Sequence, residues 1–556
     1  MNNRMVRIYE KYLHQSGEIH TAFKPYKSGA VYQTVFPDSL YGLKRIEDAE
    51  KGFKRFMNVA AYEDLLSFTE DGLVRHYEYD SIYAALVVKK GKTQINHKPS
   101  KLYITANPLL RIEMGYDLPS SNLLSLYQSL GYNRSSAFIS GQPVSYNMRG
   151  LELRADIGSK LTIYTSFLEH QARYPGYILG NFDVNEKGVV PGEGKTRPFK
   201  ARGFDYSGIT AYLAFEANKY FSGEVGHGKH FIGDGYRSLF LSDNSFVYPY
   251  LRLTTSFWKI KYTNIVTEFQ NVTNVGRSNL IGYPRKLGSF IYVSANLTRW
   301  FQMGLFEGII WDRTGPNGNT KFDYNFINPV FGVRGFQKKL DANKVYGVNM
   351  KFVAPHNFIF YGQFMINQLG GLSSIENRTG YQAGVKYLDA FGVRNLNFQL
   401  EYNRVRPYSY ASSDSSRHYS HYSQSLAHPL GANFSEFMGS VDYRWKRFYA
   451  GIKATTVSQG LDVLLDDVNV GSNIFESLLT ADITNGVKVG QGDKYRLLHN
   501  EVSLGYIINP KINLCIEAKL VNRLMSYQKE SYVNHVVFLS LSTQLFNHYY
   551  DVGFNY

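Results

Sequence analysis

The sequence predicts an all-β fold: a closed, antiparallel transmembrane β-barrel of about 18 strands, preceded by a partly helical segment. Three observations lead there. Apolar and polar residues alternate strictly over eight or nine positions at several places. Short turns and long polar loops follow one another along the chain. The composition is rich in aromatic residues, yet its mean hydropathy is only -0.29.

The alternation is clearest in Ile512-Asn513-Leu514-Cys515-Ile516-Glu517-Ala518-Lys519-Leu520, Leu396-Asn397-Phe398-Gln399-Leu400-Glu401-Tyr402-Asn403 and Val537-Phe538-Leu539-Ser540-Leu541-Ser542-Thr543-Gln544-Leu545. A period of two marks strands with one apolar and one polar face. Strands of soluble sandwiches usually have about five or six residues, whereas a tilted membrane strand needs about 9–11.

Short turns are expected near Gly158-Ser159, Ala217-Asn218-Lys219, Phe257-Trp258, Thr298-Arg299-Trp300, Pro355-His356-Asn357, Val393-Arg394, Trp445-Lys446-Arg447 and Asn509-Pro510-Lys511. Between them lie longer polar segments, at about 117–147, 170–205, 229–247, 270–289, 312–343, 367–379, 405–437, 457–495 and 524–532. Nine long loops imply 18 strands, with both ends of the barrel segment on the short-turn side. Only every second strand residue then meets lipid, which keeps the average hydropathy below zero. The aromatic residues Tyr248, Tyr250, Phe257, Trp258, Trp300, Phe301, Trp311 and Tyr449 are expected in the interfacial girdles.

Composition excludes other classes. The 556 residues include 45 Tyr, 37 Phe and 4 Trp, too many aromatics for a disordered chain. A single cysteine, Cys515, excludes a disulfide scaffold and a cysteine-based zinc or iron–sulfur site. The longest apolar runs, such as Tyr83-Ala84-Ala85-Leu86-Val87-Val88, are far shorter than a membrane helix requires. The start, Met1-Asn2-Asn3-Arg4-Met5-Val6-Arg7, is basic but lacks an apolar core and a cleavage site, so the expectation is an exported protein whose signal was removed or missed.

Two units are expected. Residues 1–100 form a partly helical periplasmic or plug segment, with helical spacing from Tyr41 to Leu66 and a short helix from Met5 to His14. Residues 101–556 form the outer-membrane barrel.

The densest motif is Gly226-His227-Gly228-Lys229-His230-Phe231-Ile232-Gly233-Asp234-Gly235-Tyr236-Arg237-Ser238-Leu239-Phe240-Leu241-Ser242-Asp243-Asn244. Read for chemistry, Lys229, His230, Asp234, Tyr236, Arg237, Asp243 and Asn244 make a candidate saccharide or carboxylate clamp. Lysine and arginine would meet uronate charge, tyrosine would stack, and Asp and Asn would bind hydroxyls. The glycines flanking Asp234 permit a tight turn with positive φ. The alternative is an inward-folded loop whose charges pair with the lumen wall, and this is the reading favoured here. Arg404, Arg406 and Tyr408 are further polysaccharide-binding candidates; with Tyr402 they alternate, placing both arginines on one face to line the lumen mouth or to pair with lipid A phosphates. His418, His421 and His428 form the richest histidine region, but their spacing matches no metal-ligand pattern and a polar external loop is expected. The paired carboxylates Asp466-Asp467 have no companion constellation that would make a hydrolase.

The formal charge of +15 (61 Lys and Arg against 46 Asp and Glu) is spread along the chain. It fits anionic polysaccharide and lipopolysaccharide phosphate as partners rather than nucleic acid.

The 226–262 cluster, together with Leu305-Phe306-Glu307-Gly308-Ile309-Ile310-Trp311, Asn325-Phe326-Ile327-Asn328-Pro329-Val330, Glu401-Tyr402-Asn403-Arg404-Val405-Arg406-Pro407-Tyr408 and Leu426-Ala427-His428-Pro429-Leu430-Gly431-Ala432-Asn433-Phe434, resembles the capsule-assembly Wzi family of outer-membrane barrels. The resemblance runs from about residue 100 onward and is nearest the Bacteroidota relatives labelled gliding-motility proteins of the RemB type. It implies an 18-stranded barrel with a helical periplasmic plug and a lectin-like role in holding surface polysaccharide, without catalysis; no cofactor or metal is expected from the sequence. It also implies a link to gliding motility or surface-protein secretion, with further outer-membrane proteins as partners. A diffusion channel is the competing expectation. The resemblance transfers no catalytic residue.

Overall fold

The computed structural model describes residues 22–24, 102–118, 141–158, 160–180, 189–200, 203–272, 283–313, 328–336, 342–462, 468–509, 512–527, 530–543 and 549–552. The expected helices at Met5–His14 and within 41–66, and the Asp466-Asp467 pair, lie outside the described residues.

Eighteen antiparallel strands close into one barrel. In chain order they begin with β1 Leu102–Asp117, β2 Gln142–Ile157, β3 Leu161–Arg173, β4 Gly203–Glu216, β5 Phe221–Gly228 and β6 Tyr248–Phe257. There follow β7 Ile260–Gln270, β8 Arg285–Asn296, β9 Phe301–Asp312, β10 Asn343–Ala354, β11 Phe358–Gln368 and β12 Arg378–Tyr387. The wall ends with β13 Leu396–Val405, β14 Phe434–Trp445, β15 Phe448–Leu461, β16 Asp493–Asn509, β17 Leu514–Tyr527 and β18 Glu530–Ser542. The last strand pairs with the first, Ile112 opposite Leu541, so no edge is left open.

The alternation read from sequence sets which side meets lipid. Ile516, Leu520, Val537 and Leu539 are exposed on the outside, with Leu520 opposite Val537. Their neighbours Cys515, Val521, Val536 and Phe538 face inward and are buried. This apolar outer surface on a closed barrel makes the protein an outer-membrane β-barrel.

Two expectations are corrected. The ninth connection is not a long loop at 524–532: β17 runs to Tyr527 and β18 begins at Glu530, and these two residues pair. Polar Ser526, Gln528, Lys529, Glu530 and Ser531 made this stretch look like loop, but strand alternation runs into it, with Leu524 exposed outward and Met525, Tyr527 and Tyr532 buried. The aromatic girdle is only partly as expected. Phe257, Trp258 and Trp300 are exposed at the short-turn end, whereas Tyr248 and Tyr250 face the lumen and are buried, and Trp311, on the outward register, is buried with Leu287, Ile309 and Ala342. Tyr449 also points inward, donating to Glu517 Oε2 at 2.9 Å. A one-position shift of parity moves an aromatic from lipid to lumen.

Candidate functional site

The interior is filled by connections that begin on the long-loop side. The β5–β6 connection (229–247) and the β13–β14 connection (406–433) both turn into the barrel, and most of their residues are buried. Residues 22–24 join them, since Phe23–Lys24 pairs with Phe231–Ile232 and the Gly233 N–H donates to the Ala22 carbonyl at 2.6 Å. The chain also returns after β18. Tyr549, Asp551 and Val552 are buried against the same loop.

The β5–β6 connection is fastened to the wall through backbone groups that would otherwise be buried without partners. The Glu401 carboxylate accepts the N–H of Tyr236 at 2.6 Å and of Arg237 at 3.0 Å. Gln363 donates to the Ile232 carbonyl at 3.0 Å and accepts the Leu239 N–H at 2.8 Å. Gln382 donates to the Arg237 carbonyl at 3.0 Å, and Lys386 to the Asp234 carbonyl at 2.5 Å. These side chains come from β11, β12 and β13 and all face inward. Close approach explains the glycines. Gly233 has φ 151°, and a Cβ there would lie 2.6 Å from Gln363 Nε2. At Gly235 a Cβ would lie 2.6 Å from Glu401 Oε2. Only the first needs the unusual backbone; the second needs the space.

Arg237 is the centre of the charge network. It binds Glu436 of β14 at 2.9 Å and Asp551 of the returning C-terminal segment at 3.0 Å, all three fully buried. His428 Nε2 reaches Glu436 at 2.7 Å, and Lys453 of β15 reaches Asp551 at 3.3 Å and Glu501 at 3.7 Å. Burial opposes the charge on Arg237, but Asp551 and Glu436 outweigh it and hold the guanidinium well above its ordinary range. Burial likewise opposes ionisation of Asp551, yet Arg237 and Lys453 hold it well below the usual carboxylate range. Such a network locks one arrangement of loop and wall, because removing a member strands a charge in a dry interior.

The remaining residues singled out in the β5–β6 motif are engaged in the same way. Lys229 Nζ donates to the Gly192 carbonyl at 2.5 Å. The His230 ring packs edge-on against Tyr250 at 4.3 Å, and burial pushes its pKa well down. Asp234 accepts from Asn349 at 2.8 Å, Asp243 from the Tyr549 hydroxyl at 2.5 Å, and Asn244 donates to the Ser425 carbonyl at 3.1 Å. Tyr236 lies 4.7 Å from the Arg237 guanidinium. On the apolar side of the loop, Phe240 stacks on Phe306 at 4.8 Å within a core that includes Phe269, Phe290 and Tyr248.

Arg404 and Arg406 lie two positions apart in one register at the end of β13, where the Arg406 N–H donates to the Thr379 carbonyl at 3.0 Å. Arg404 is on the outward-facing register of β13 with Leu400 and Tyr402, and β13 ends at Val405. Arg406 lies beyond it and donates to the carbonyls of Asn377 at 2.7 Å and Val487 at 3.2 Å. Tyr408 is buried and donates to the Asn469 carbonyl at 2.9 Å. The histidine region is not an exposed external loop. His418 accepts the Ser412 N–H at 3.1 Å, His421 accepts the Gln270 N–H at 3.0 Å, and both rings are buried. Burial first, and Lys286 nearby, lower His418 to about 4. Burial lowers His421 to about 3.

Glu401 and Asp551 were not singled out from the sequence. Glu401 carries a readable signal, an inward-register carboxylate with Asn403 two positions on. Asp551 carries none, because it follows the last strand.

No protein-family profile matches the chain, and no curated protein matches it. Among solved structures it is similar to Wzi, an outer-membrane protein involved in group 1 capsule assembly in Escherichia coli and described as a carbohydrate-binding β-barrel. The similarity covers 98% of this chain and 99% of that one, with a TM-score of 0.53 and 13% identity. At that identity the likeness establishes the fold. OprD of Pseudomonas aeruginosa is also similar, over 79% of this chain and 94% of that one, with a TM-score of 0.40 and 10% identity.

Proposed function

We propose that this protein is a non-enzymatic outer-membrane barrel that binds or organises surface polysaccharide at its external face. The observation carrying this reading is the filled lumen. Two long connections turn inward, are buried, and are pinned to the wall by a charge network. A barrel that uses its interior to hold its own loops presents the external connections as its working surface. The Wzi structure, which shares this fold, is described as carbohydrate-binding, and the surplus of 61 basic over 46 acidic residues suits an anionic glycan. On this reading Lys229, His230, Asp234, Tyr236, Arg237, Asp243 and Asn244 act by holding the external connections in place. The test is deletion of the protein in its native cell. Surface polysaccharide should shift from the cell-attached to the soluble fraction, with restoration on re-expression. Unchanged attachment would overturn the reading.

A further inference from the structure

Four external connections meet at one place on the rim, and their chemistry differs from that of the plug. The Gly192 N–H donates to Gln424 Oε1 at 2.5 Å, and Gln424 Nε2 donates to the Glu193 carbonyl at 2.9 Å, tying the β3–β4 connection to the β13–β14 connection. The ring of Phe246, from the β5–β6 connection, closes under Gly194, where a Cβ would lie 2.8 Å away. Phe246 also packs against Tyr422 with ring centres 5.1 Å apart and a 56° tilt. From the β7–β8 connection, Tyr283 lies with Lys195 Nζ 4.1 Å from its ring centre.

The result is a ledge with half-buried aromatic rings and exposed cations. Lys195 and Arg197 are both exposed and have no ion-pair partner among the described residues. Arg285, two positions beyond Tyr283, is by contrast paired with Glu268 at 3.0 Å. Unpaired cations beside fixed aromatic faces suit an acidic sugar. The ring faces offer apolar surface to the C–H side of a pyranose, and the cations meet its carboxylate with charge-assisted hydrogen bonds.

We infer that the ledge formed by Lys195, Arg197, Tyr283, Phe246 and Tyr422 is the docking site for an acidic, uronate-bearing polysaccharide. This rests on the polysaccharide-binding reading above and gives it a place and a charge. The interaction weakens with salt through the cations and keeps a salt-resistant part through the rings.

The test uses the full-length protein in detergent micelles and three probes: polygalacturonate, neutral dextran and deacylated lipopolysaccharide. Polygalacturonate should bind and dextran should not. The double variant Lys195→Gln/Arg197→Gln should weaken polygalacturonate binding by about ten-fold or more, while Tyr283→Ala should weaken it less and equally at high salt. Lys488→Gln, which removes an exposed external lysine elsewhere, should leave binding unchanged, and heat-modified gel mobility checks that every variant is folded. If the native protein binds polygalacturonate and the double variant binds it equally, the ledge is the wrong place although the functional reading stands. If deacylated lipopolysaccharide binds and polygalacturonate does not, the ledge is a phosphate site and the inference falls. If no glycan binds, the functional reading falls with it.

Discussion

The β5–β6 connection and the β3–β4 connection draw on similar residue types but end in different environments. The first contains Lys229, His230, Asp234, Tyr236, Arg237 and Asp243; the second contains Glu193, Lys195, Arg197, Phe199 and Lys200. The first is folded into the lumen, where its polar groups are met by the wall or by neighbouring connections. The second is divided: Tyr177, Ile178 and Val190 are buried, while Lys195 and Arg197 are exposed at the rim. The wall explains the difference. Inward positions of β11–β14 present Gln363, Gln382, Glu401 and Glu436 to the first loop, so its charges are compensated on arrival. Charged loop residues therefore indicate ligand contact only where the fold leaves them uncompensated.

The strongest way to break this contrast is to remove the centre of the plug. Arg237→Ala leaves Glu436 and Asp551 buried without their shared cation, at an expected cost of about 3–5 kcal/mol. Thermal unfolding followed by gel mobility should show a clear drop, and Arg197→Ala at the rim should show none. An insensitive Arg237→Ala variant would mean that the network does not hold the loop.

The wall's own two-sidedness gives the next effect. Leu520 lies mid-strand on the lipid side, 45% exposed. Leu520→Arg is expected to cost about 2–4 kcal/mol through lipid contact, read in refolding into bilayers. The neighbouring Lys519 faces inward, so Lys519→Gln should cost much less.

Packing gives a smaller effect. At Gly347 of β10, a Cβ would sit 2.1 Å from the Phe240 ring. Gly347→Ala should therefore displace the apolar side of the plug at a cost of about 1–3 kcal/mol. Hydrogen exchange should rise in 231–245 and not in 189–200.

Acid has the most graded effect. His418 and His421 lie at about 4 and about 3 in the fold, below the ordinary 6.5. Above pH 6.5 both histidines are neutral whether packed or released, so nothing changes. Between 6.5 and about 4 the released loop binds protons that the packed loop does not, so packing weakens as pH falls. The slope is at most about 1.4 kcal/mol per pH unit for each histidine. Protease cleavage within 406–433 should rise over that interval and be blunted in His421→Gln.

Much of the barrel was legible because period-two alternation has one physical cause, a wall between lipid and a polar interior. The Leu514–Leu520 pattern gave parity correctly, and the count of connections gave 18 strands. The girdle reading failed at Tyr248, Tyr250 and Tyr449, because an aromatic alone does not say which side it faces. The connection at 524–532 misled because Ser526, Gln528, Lys529, Glu530 and Ser531 are as polar as a loop. The plug motif was visible as a cluster, and its inward fold was the favoured alternative. The partners Gln363, Glu401 and Asp551 lie far away in sequence, and only closure of the barrel brings them to it.

The central claim is a lumen closed by the chain's own loops, and planar-bilayer conductance tests it most directly. The native full-length protein should insert without opening ion-conducting steps, while Arg237→Ala should open intermittent ones. A stable open channel in the native protein would contradict the account.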